Sequence, residues 1–204
     1  MKFQLFPSVT RGIDLLRELA TLIRHSVNPV AEMVGNPQDG EQQLHLLAEA
    51  ETSATDTHYA LLTHLRTSYV SPLPREDMYT FSRLLHATME HLRGTGELIR
   101  EVGSTPLSER AAEQLGLLSQ LADLAADSLQ RLNKLDDLED NWLQMVQLSK
   151  RATRTHLVWS QEVGKFSKAS TMHRHQNVAD QLLRAIGSLR EFADHLGRVL
   201  VKES

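Results

Sequence analysis

The 204-residue sequence contains no cysteine and six prolines, and aromatic residues make up only 5% of it. Without cysteine the chain forms neither disulfides nor thiolate metal sites, and it has no cysteine nucleophile. No stretch reaches the roughly 18 apolar residues that a membrane-spanning helix needs. The lack of cysteine is consistent with a reducing, cytoplasmic location. The net charge of −4 argues against a generally basic nucleic-acid-binding protein.

The distribution of proline and leucine predicts long helices. All six prolines lie at or before Pro106, which leaves the 98 residues 107–204 without one. Leucine occupies 34 positions, and it favours helices over strands. Many short strands and turns would need more proline and glycine residues than this sequence contains. We therefore predict an all-α protein of about six long antiparallel helices.

Loop signals in the first half predict three helices. The first spans about Ser8–Met33, and Pro29 either kinks it or ends its regular part. A glycine- and proline-containing loop over 35–40 separates it from a second helix over about 41–69. A third helix is expected over about 76–103.

The second half has fewer stop signals. The segment 104–108 is the clearest break in the middle of the chain, and Ser108 is expected to cap a fourth helix. The helical pattern then continues through Leu132 toward Phe166, with one more break that the sequence does not locate. The last helix is expected over about 170–201. We predict one domain over 1–204, built from two pseudo-repeated three-helix bundles over about 1–105 and 106–204.

The segment 67–79 carries the most specific motif. It reads TSYVSPLPREDMY and resembles the aromatic-x-(Thr/Ser)-Pro-x-x-Arg-Glu-Asp-(Ile/Met) signature of the PhoU-like family that accompanies Pit-type phosphate transporters. The start over 3–7 and the last helix over 192–202 are also similar to that family. The resemblance implies a non-catalytic accessory protein that regulates inorganic phosphate transport by docking on a Pit-type permease of the inner membrane. It leaves a homo-oligomer open.

The resemblance also implies a metal site. Proteins of the PhoU type commonly carry Glu/Asp-x-x-x-Asp motifs on paired helices, where residues four apart share one helix face. The positions of these motifs fall on Glu51 and Thr55 in the second helix and on His86 and Glu90 in the third. The implied ligands of a divalent or iron-type transition metal are thus Glu51, His86 and Glu90. A histidine ligand shifts the preference toward Zn, Fe or Ni.

The competing interpretation of these residues is purely structural. Glu51 would pair with a neighbouring base, and His86 would form an i,i+4 surface pair with Glu90. In the second half the corresponding positions are Ser149, Thr153, Leu183 and Gly187, none of which is a good ligand. No second metal cluster is therefore expected.

Three further groups have structural interpretations that we favour. We expect His58 to be a hydrogen-bonded core histidine, because it lies on the apolar face of its helix. Asp136 and Asp140 have metal-ligand spacing, but they belong to an acidic run that is typical of a solvated surface. Arg75 is expected to brace the turn before the third helix, whose first turn Glu76 and Asp77 favour.

Charge is segregated along the second half. Residues 148–175 hold six Lys/Arg side chains against one acid, Glu162, whereas residues 108–141 hold eight acidic and three basic side chains. This segregation predicts a basic surface that faces an anionic partner, either the cytoplasmic loops of a transporter or the anionic inner leaflet of the membrane. The expected partner-binding residues are Lys150, Arg151, Arg154, Lys165 and Lys168. Alternatively, the acidic stretch 108–141 lies against this basic one.

Other functions have weaker support. The sequence has no phosphate-cradling glycine loop, no nucleophile elbow and no His-Glu-x-x-His zinc helix. We therefore do not expect an enzyme, and a metal-binding helical bundle or metal-dependent enzyme is the alternative. A structural adaptor for another partner stays open. DNA binding by 148–175 is weaker still, because the acidic remainder opposes it.

Overall fold

The computed structural model describes residues 7–36, 40–71, 73–103, 105–132 and 138–203, which form six α-helices. The helices are α1 (Pro7–Gly35), α2 (Gly40–Thr67), α3 (Arg75–Val102), α4 (Glu109–Gln130), α5 (Glu139–Val163) and α6 (Ala169–Glu203). These ranges contain no strand. The predicted all-α architecture of six long helices is confirmed.

Two helix ends in the first half differ from the sequence expectation. Helix α1 continues through Pro29 to Gly35. Val27 and Val30 on either side of the proline are buried in the core, and such packing stabilises a helix across a missing hydrogen bond. Helix α2 ends at Thr67, two residues before the expected Tyr69, whose side chain is 99% exposed.

The break that the sequence did not locate lies between Gln130 and Glu139. No glycine or proline occurs between them. Leu132 and Leu138, at the two edges of this connection, are both buried, so the apolar pattern passes through it without interruption. Asp136 lies outside the described residues, and Asp140 is exposed in the first turn of α5.

The six helices group into two sets of three. Helices α1, α2 and α3 contact one another, and so do α4, α5 and α6. The two sets meet through α1 against α4 and, more extensively, through α3 against α6. The buried apolar side chains of all six helices form one continuous cluster. The division into two pseudo-repeated halves, 1–105 and 106–204, stays a prediction.

The contact between α3 and α6 combines an aromatic pair with a buried charge. The rings of Phe81 and Phe192 are both fully buried, with their centroids 4.8 Å apart. Asp77, at the start of α3, is also buried, and it accepts hydrogen bonds from Lys202 Nζ at 3.1 and 3.3 Å. His195 Nε2 lies 3.2 Å from Asp77 Oδ1. From the sequence, Asp77 was expected only to favour the helix start, and no local pattern marks its contacts with residues of α6.

Two local predictions are confirmed at the helix starts. The side chain of Ser108 accepts a hydrogen bond from the backbone amide of Arg110 at 3.1 Å, so Ser108 caps α4. Arg75 Nη2 donates to the carbonyl oxygen of Ser68, which braces the connection between α2 and α3. Both contacts are local in sequence, which is why the sequence predicted them.

Removal of the Phe192 ring tests the contact between α3 and α6. We expect Phe192→Ala to lower the free energy of unfolding by about 3–5 kcal/mol, because the substitution leaves a cavity beside Phe81. Urea denaturation followed by circular dichroism measures the change. Tyr69→Ala is the matched control, and its exposed ring predicts a change within about 0.5 kcal/mol. A cost below about 1 kcal/mol for Phe192→Ala would contradict the described packing.

Candidate functional site

Two of the implied metal ligands, His86 and Glu90, lie together on the surface that α3 shares with α2. His86 Nε2 is 3.0 Å from the hydroxyl of Thr55, and His86 Nδ1 is 3.8 Å from Glu90 Oε1. The imidazole of His86 also stacks on that of His58, with ring centroids 4.9 Å apart. Both ring nitrogens of His86 therefore have neighbours within the protein.

The third implied ligand, Glu51, faces a different partner. Its Oε2 lies 3.8 Å from Arg93 Nε, and Arg93 Nη2 lies 2.9 Å from Glu97 Oε1. Across the described parts of the chain, no group of three or more histidine and acidic side chains is arranged to hold a metal ion. The arrangement matches the structural interpretation of Glu51, His86 and Glu90. No sequence pattern marked Arg93 as the base that pairs with Glu51, and the metal site stays a prediction.

His58 is hydrogen-bonded, as expected, but it is not a core residue. Its Nδ1 lies 2.5 Å from the hydroxyl of Ser82, and the ring is half-buried. Burial lowers the pKa of His58, and the neighbouring His86 lowers it further. The stacked pair therefore disfavours a positive charge on this part of the α2–α3 surface.

One of the five predicted partner-binding residues contacts the acidic stretch instead of solvent alone. Arg151 Nη2 donates to Glu113 Oε1 at 3.3 Å, linking α5 to α4. Glu113 also accepts hydrogen bonds from Arg110 at 2.9 Å and from Thr155 at 3.1 Å. The hydrogen bond from Arg110 is the largest cause of the lowered pKa of Glu113. The intramolecular alternative therefore accounts for Arg151.

The other four predicted cations lie on the protein surface. Lys150, Arg154, Lys165 and Lys168 are exposed. Lys165 is near enough to Glu162 to help lower the pKa of that carboxyl, which the hydrogen bond from Ser108 lowers most. Among the described residues, no acid lies within ion-pair distance of Lys150, Arg154 or Lys168. We define these four residues as the basic face.

A cavity of about 370 Å³ lies at the start of α4, beside the connection between α5 and α6. The hydroxyl of Ser108 donates to Glu162 at 2.5 Å at this place. Two residues that line the cavity, Trp159 and His175, are buried, and their Nε1 and Nε2 atoms have no hydrogen-bond partner among the described residues. Burial lowers the pKa of His175. No sequence motif marked this cavity, because its walls come from three separate segments.

The comparisons with known proteins identify the fold. No protein-family model matches the sequence, and no curated protein matches it significantly. The structure is similar to that of PhoU from Pseudomonas aeruginosa, with a TM-score of 0.70 and 13% identity, over 98% of this chain and 100% of that one. It is also similar to the phosphate transport system regulatory protein PhoU from Streptococcus pneumoniae, with a TM-score of 0.66, 11% identity and 96% coverage of both chains.

The chain therefore has the PhoU fold, as the motif at 67–79 implied. None of the helices in the described residues is both long and apolar enough to span a bilayer.

The metal hypothesis predicts opposite effects for two variants. Since Glu51 lies beside Arg93, a metal at Glu51, His86 and Glu90 must compete with the guanidinium for this carboxylate. We expect Arg93→Gln to tighten Zn²⁺ binding and Glu51→Ala/His86→Ala to abolish it, with helicity unchanged in both. Isothermal titration calorimetry with Zn²⁺ and circular dichroism measure these effects. Metal content that is the same in the wild type and the double variant would exclude this site.

Buried histidines predict that the protein is less stable in acid. The pKa values of His58, His91, His175 and His195 lie below their ordinary value of 6.5, and burial is the largest cause for each. As the pH falls through 6.5, the unfolded chain takes up these protons before the folded one does. The free energy of unfolding should therefore fall between about pH 7.5 and 5.5.

One substitution isolates the contribution of a single ring. His175→Gln should flatten the dependence of unfolding free energy on pH by up to about 1.4 kcal/mol per pH unit. Urea denaturation at a series of pH values measures the slope. His25→Gln, at an exposed position on α1, is the matched control. An equal change of slope in both variants would rule out burial as the cause.

Proposed function

We propose that this chain is a cytoplasmic, non-catalytic regulator of inorganic phosphate transport. The observation that carries the proposal is the structural likeness to PhoU proteins, which extends over nearly the whole length of both chains. One of those proteins is named as a phosphate transport system regulatory protein. The segment 67–79, which resembles the signature of the family that accompanies Pit-type transporters, supports a Pit-type permease as the partner.

The basic face is the surface that we propose for the contact with the permease. It presents four exposed cations on one helix and the connection after it, in a protein whose net charge is −4. Complementary charge steers partners together and fixes their orientation. Acidic cytoplasmic loops of the permease would meet this face without displacing any helix of the bundle. Arg151 is not part of the basic face, because it already donates a hydrogen bond to Glu113.

The polar side chains at the contacts between helices support a function that does not include catalysis. Asp77 is hydrogen-bonded to Lys202, His58 to Ser82, and Glu113 to Arg110. Each of these groups joins two helices or two turns of one helix. A general acid or base needs instead a free proton-transfer position beside a substrate. The partners of Asp77, His58 and Glu113 thus favour a structural role for these three groups over proton transfer to a substrate.

Charge reversal on α5 tests this proposal. We expect Lys150→Glu/Arg154→Glu to abolish the salt-sensitive association with proteoliposomes that contain the permease, while the midpoint of thermal unfolding moves little. Phosphate uptake in a strain that carries only this variant should match that of a deletion strain. The matched control is Arg66→Glu/Arg190→Glu, because both arginines are exposed on other helices. Unchanged association with the α5 variant, or an equal loss with the control, would refute the assignment of the basic face.

A further inference from the structure

The hairpin of α5 and α6 exposes apolar side chains around its turn. Leu157 and Val158, near the end of α5, are 59% and 43% exposed. Phe166 in the turn and Met172 in the first turns of α6 are each 37% exposed. Within one continuous hairpin, four apolar side chains thus face water. An exposed apolar patch of this kind marks an interaction surface more often than it serves the fold.

Cations surround these apolar side chains. Arg154, Lys165, Lys168 and Arg174 are exposed within the same segment. The only acid among residues 154–174 is Glu162, and Ser108 and Arg110 hold its two carboxylate oxygens. We define the hairpin tip as these four cations together with the four exposed apolar side chains. Its local charge is strongly positive, although the whole chain is acidic.

The opposite end of the bundle carries a different mixture of apolar and charged side chains among the described residues. Helix α6 has 35 residues, which at about 1.5 Å per residue separates its ends by roughly 50 Å. At the far end the connection between α2 and α3 exposes Tyr69 and Val70. The charges that follow there, Arg75 and Glu76, are of opposite sign, and Arg75 is bonded to Ser68. Val201, at the end of α6, is exposed as well, but the cation beside it, Lys202, is bonded to Asp77.

We propose that the hairpin tip binds the surface of an anionic lipid bilayer. Lysine and arginine side chains would lie at the level of the lipid headgroups, and the apolar side chains between them would enter the boundary with the acyl chains. Lipids, unlike an acidic protein loop, match both features of the tip at once. The tip shares Arg154, Lys165 and Lys168 with the basic face and thus extends the proposed contact surface, but a bilayer free of protein is a sufficient partner for the tip.

Vesicle sedimentation tests the proposal directly. We expect the full chain to sediment with vesicles that contain phosphatidylglycerol and to stay in solution with pure phosphatidylcholine. High salt should weaken the binding. The variant Lys165→Gln/Lys168→Gln removes two charges and should weaken binding on the order of 30-fold. The control Arg66→Gln/Arg190→Gln, at exposed positions of α2 and α6, should bind like the wild type.

A second pair of variants separates insertion from simple charge attraction. Leu157→Ser/Met172→Ser should weaken binding on the order of tenfold, because these side chains would no longer leave water. The control Tyr69→Ser/Val70→Ser makes the same change at the opposite end of the bundle. Circular dichroism checks that all four variants keep their helicity. Phe166 is left intact because its ring contacts His175, with centroids 4.6 Å apart.

Three outcomes would overturn the proposal. The first is a lack of binding to anionic vesicles at low salt. The second is an equal loss of binding in tip and control variants, which would reflect overall charge alone. The third is binding that requires the permease in the vesicles, which would favour a protein partner at the tip. Because the first test uses vesicles without protein, its failure leaves the proposed regulation of phosphate transport to be judged separately.

Discussion

The packing of α3 against α6 is the contact on which the rest of the bundle depends most, because it is the more extensive of the two contacts that join the sets of three helices into one core. Phe81 and Phe192 fill the middle of this contact, and Asp77 with Lys202 closes one end of it. A buried carboxylate is tolerated only with its partner in place, since an unpaired charge in the interior is costly. The ion pair therefore fixes the register of α3 along α6 at the same time as the aromatic rings supply apolar burial.

Histidine has mainly a structural role in this protein. His58 bonds to Ser82, His86 contacts Thr55 and Glu90, and His195 lies against Asp77 and the ring of Phe81. Residues that look in the sequence like candidate metal ligands are thus engaged in contacts between helices. Burial is the largest cause of the lowered pKa of His58 and of His195, and it favours the neutral form of both rings. This burial links stability to pH without any need for a functional proton transfer.

The sequence predicted those features that depend on local pattern. The six helices, the Ser108 cap and the Arg75 brace each follow from residues within one or two turns of one another. The break between α4 and α5 was expected but could not be placed, because Leu132 and Leu138 extend the apolar period across it. The pairing of Glu51 with Arg93 depends on the position of α2 along the axis of α3. Helical periodicity does not define that register. The bond between Asp77 and Lys202 joins residues 125 positions apart, which a single sequence does not connect.

The two ends of the bundle are under different physical constraints. Where α3 begins and α6 ends, Asp77 contacts both His195 and Lys202. A substitution there therefore disturbs the packing of the two helices. At the hairpin tip, by contrast, Leu157 is 59% exposed and Met172 is 37% exposed, so both contribute less to folding than a core residue does. Folding alone would accept polar residues at these positions, and exposed apolar side chains lower solubility. Their presence among exposed cations therefore calls for an explanation outside the core, and contact with another surface supplies one.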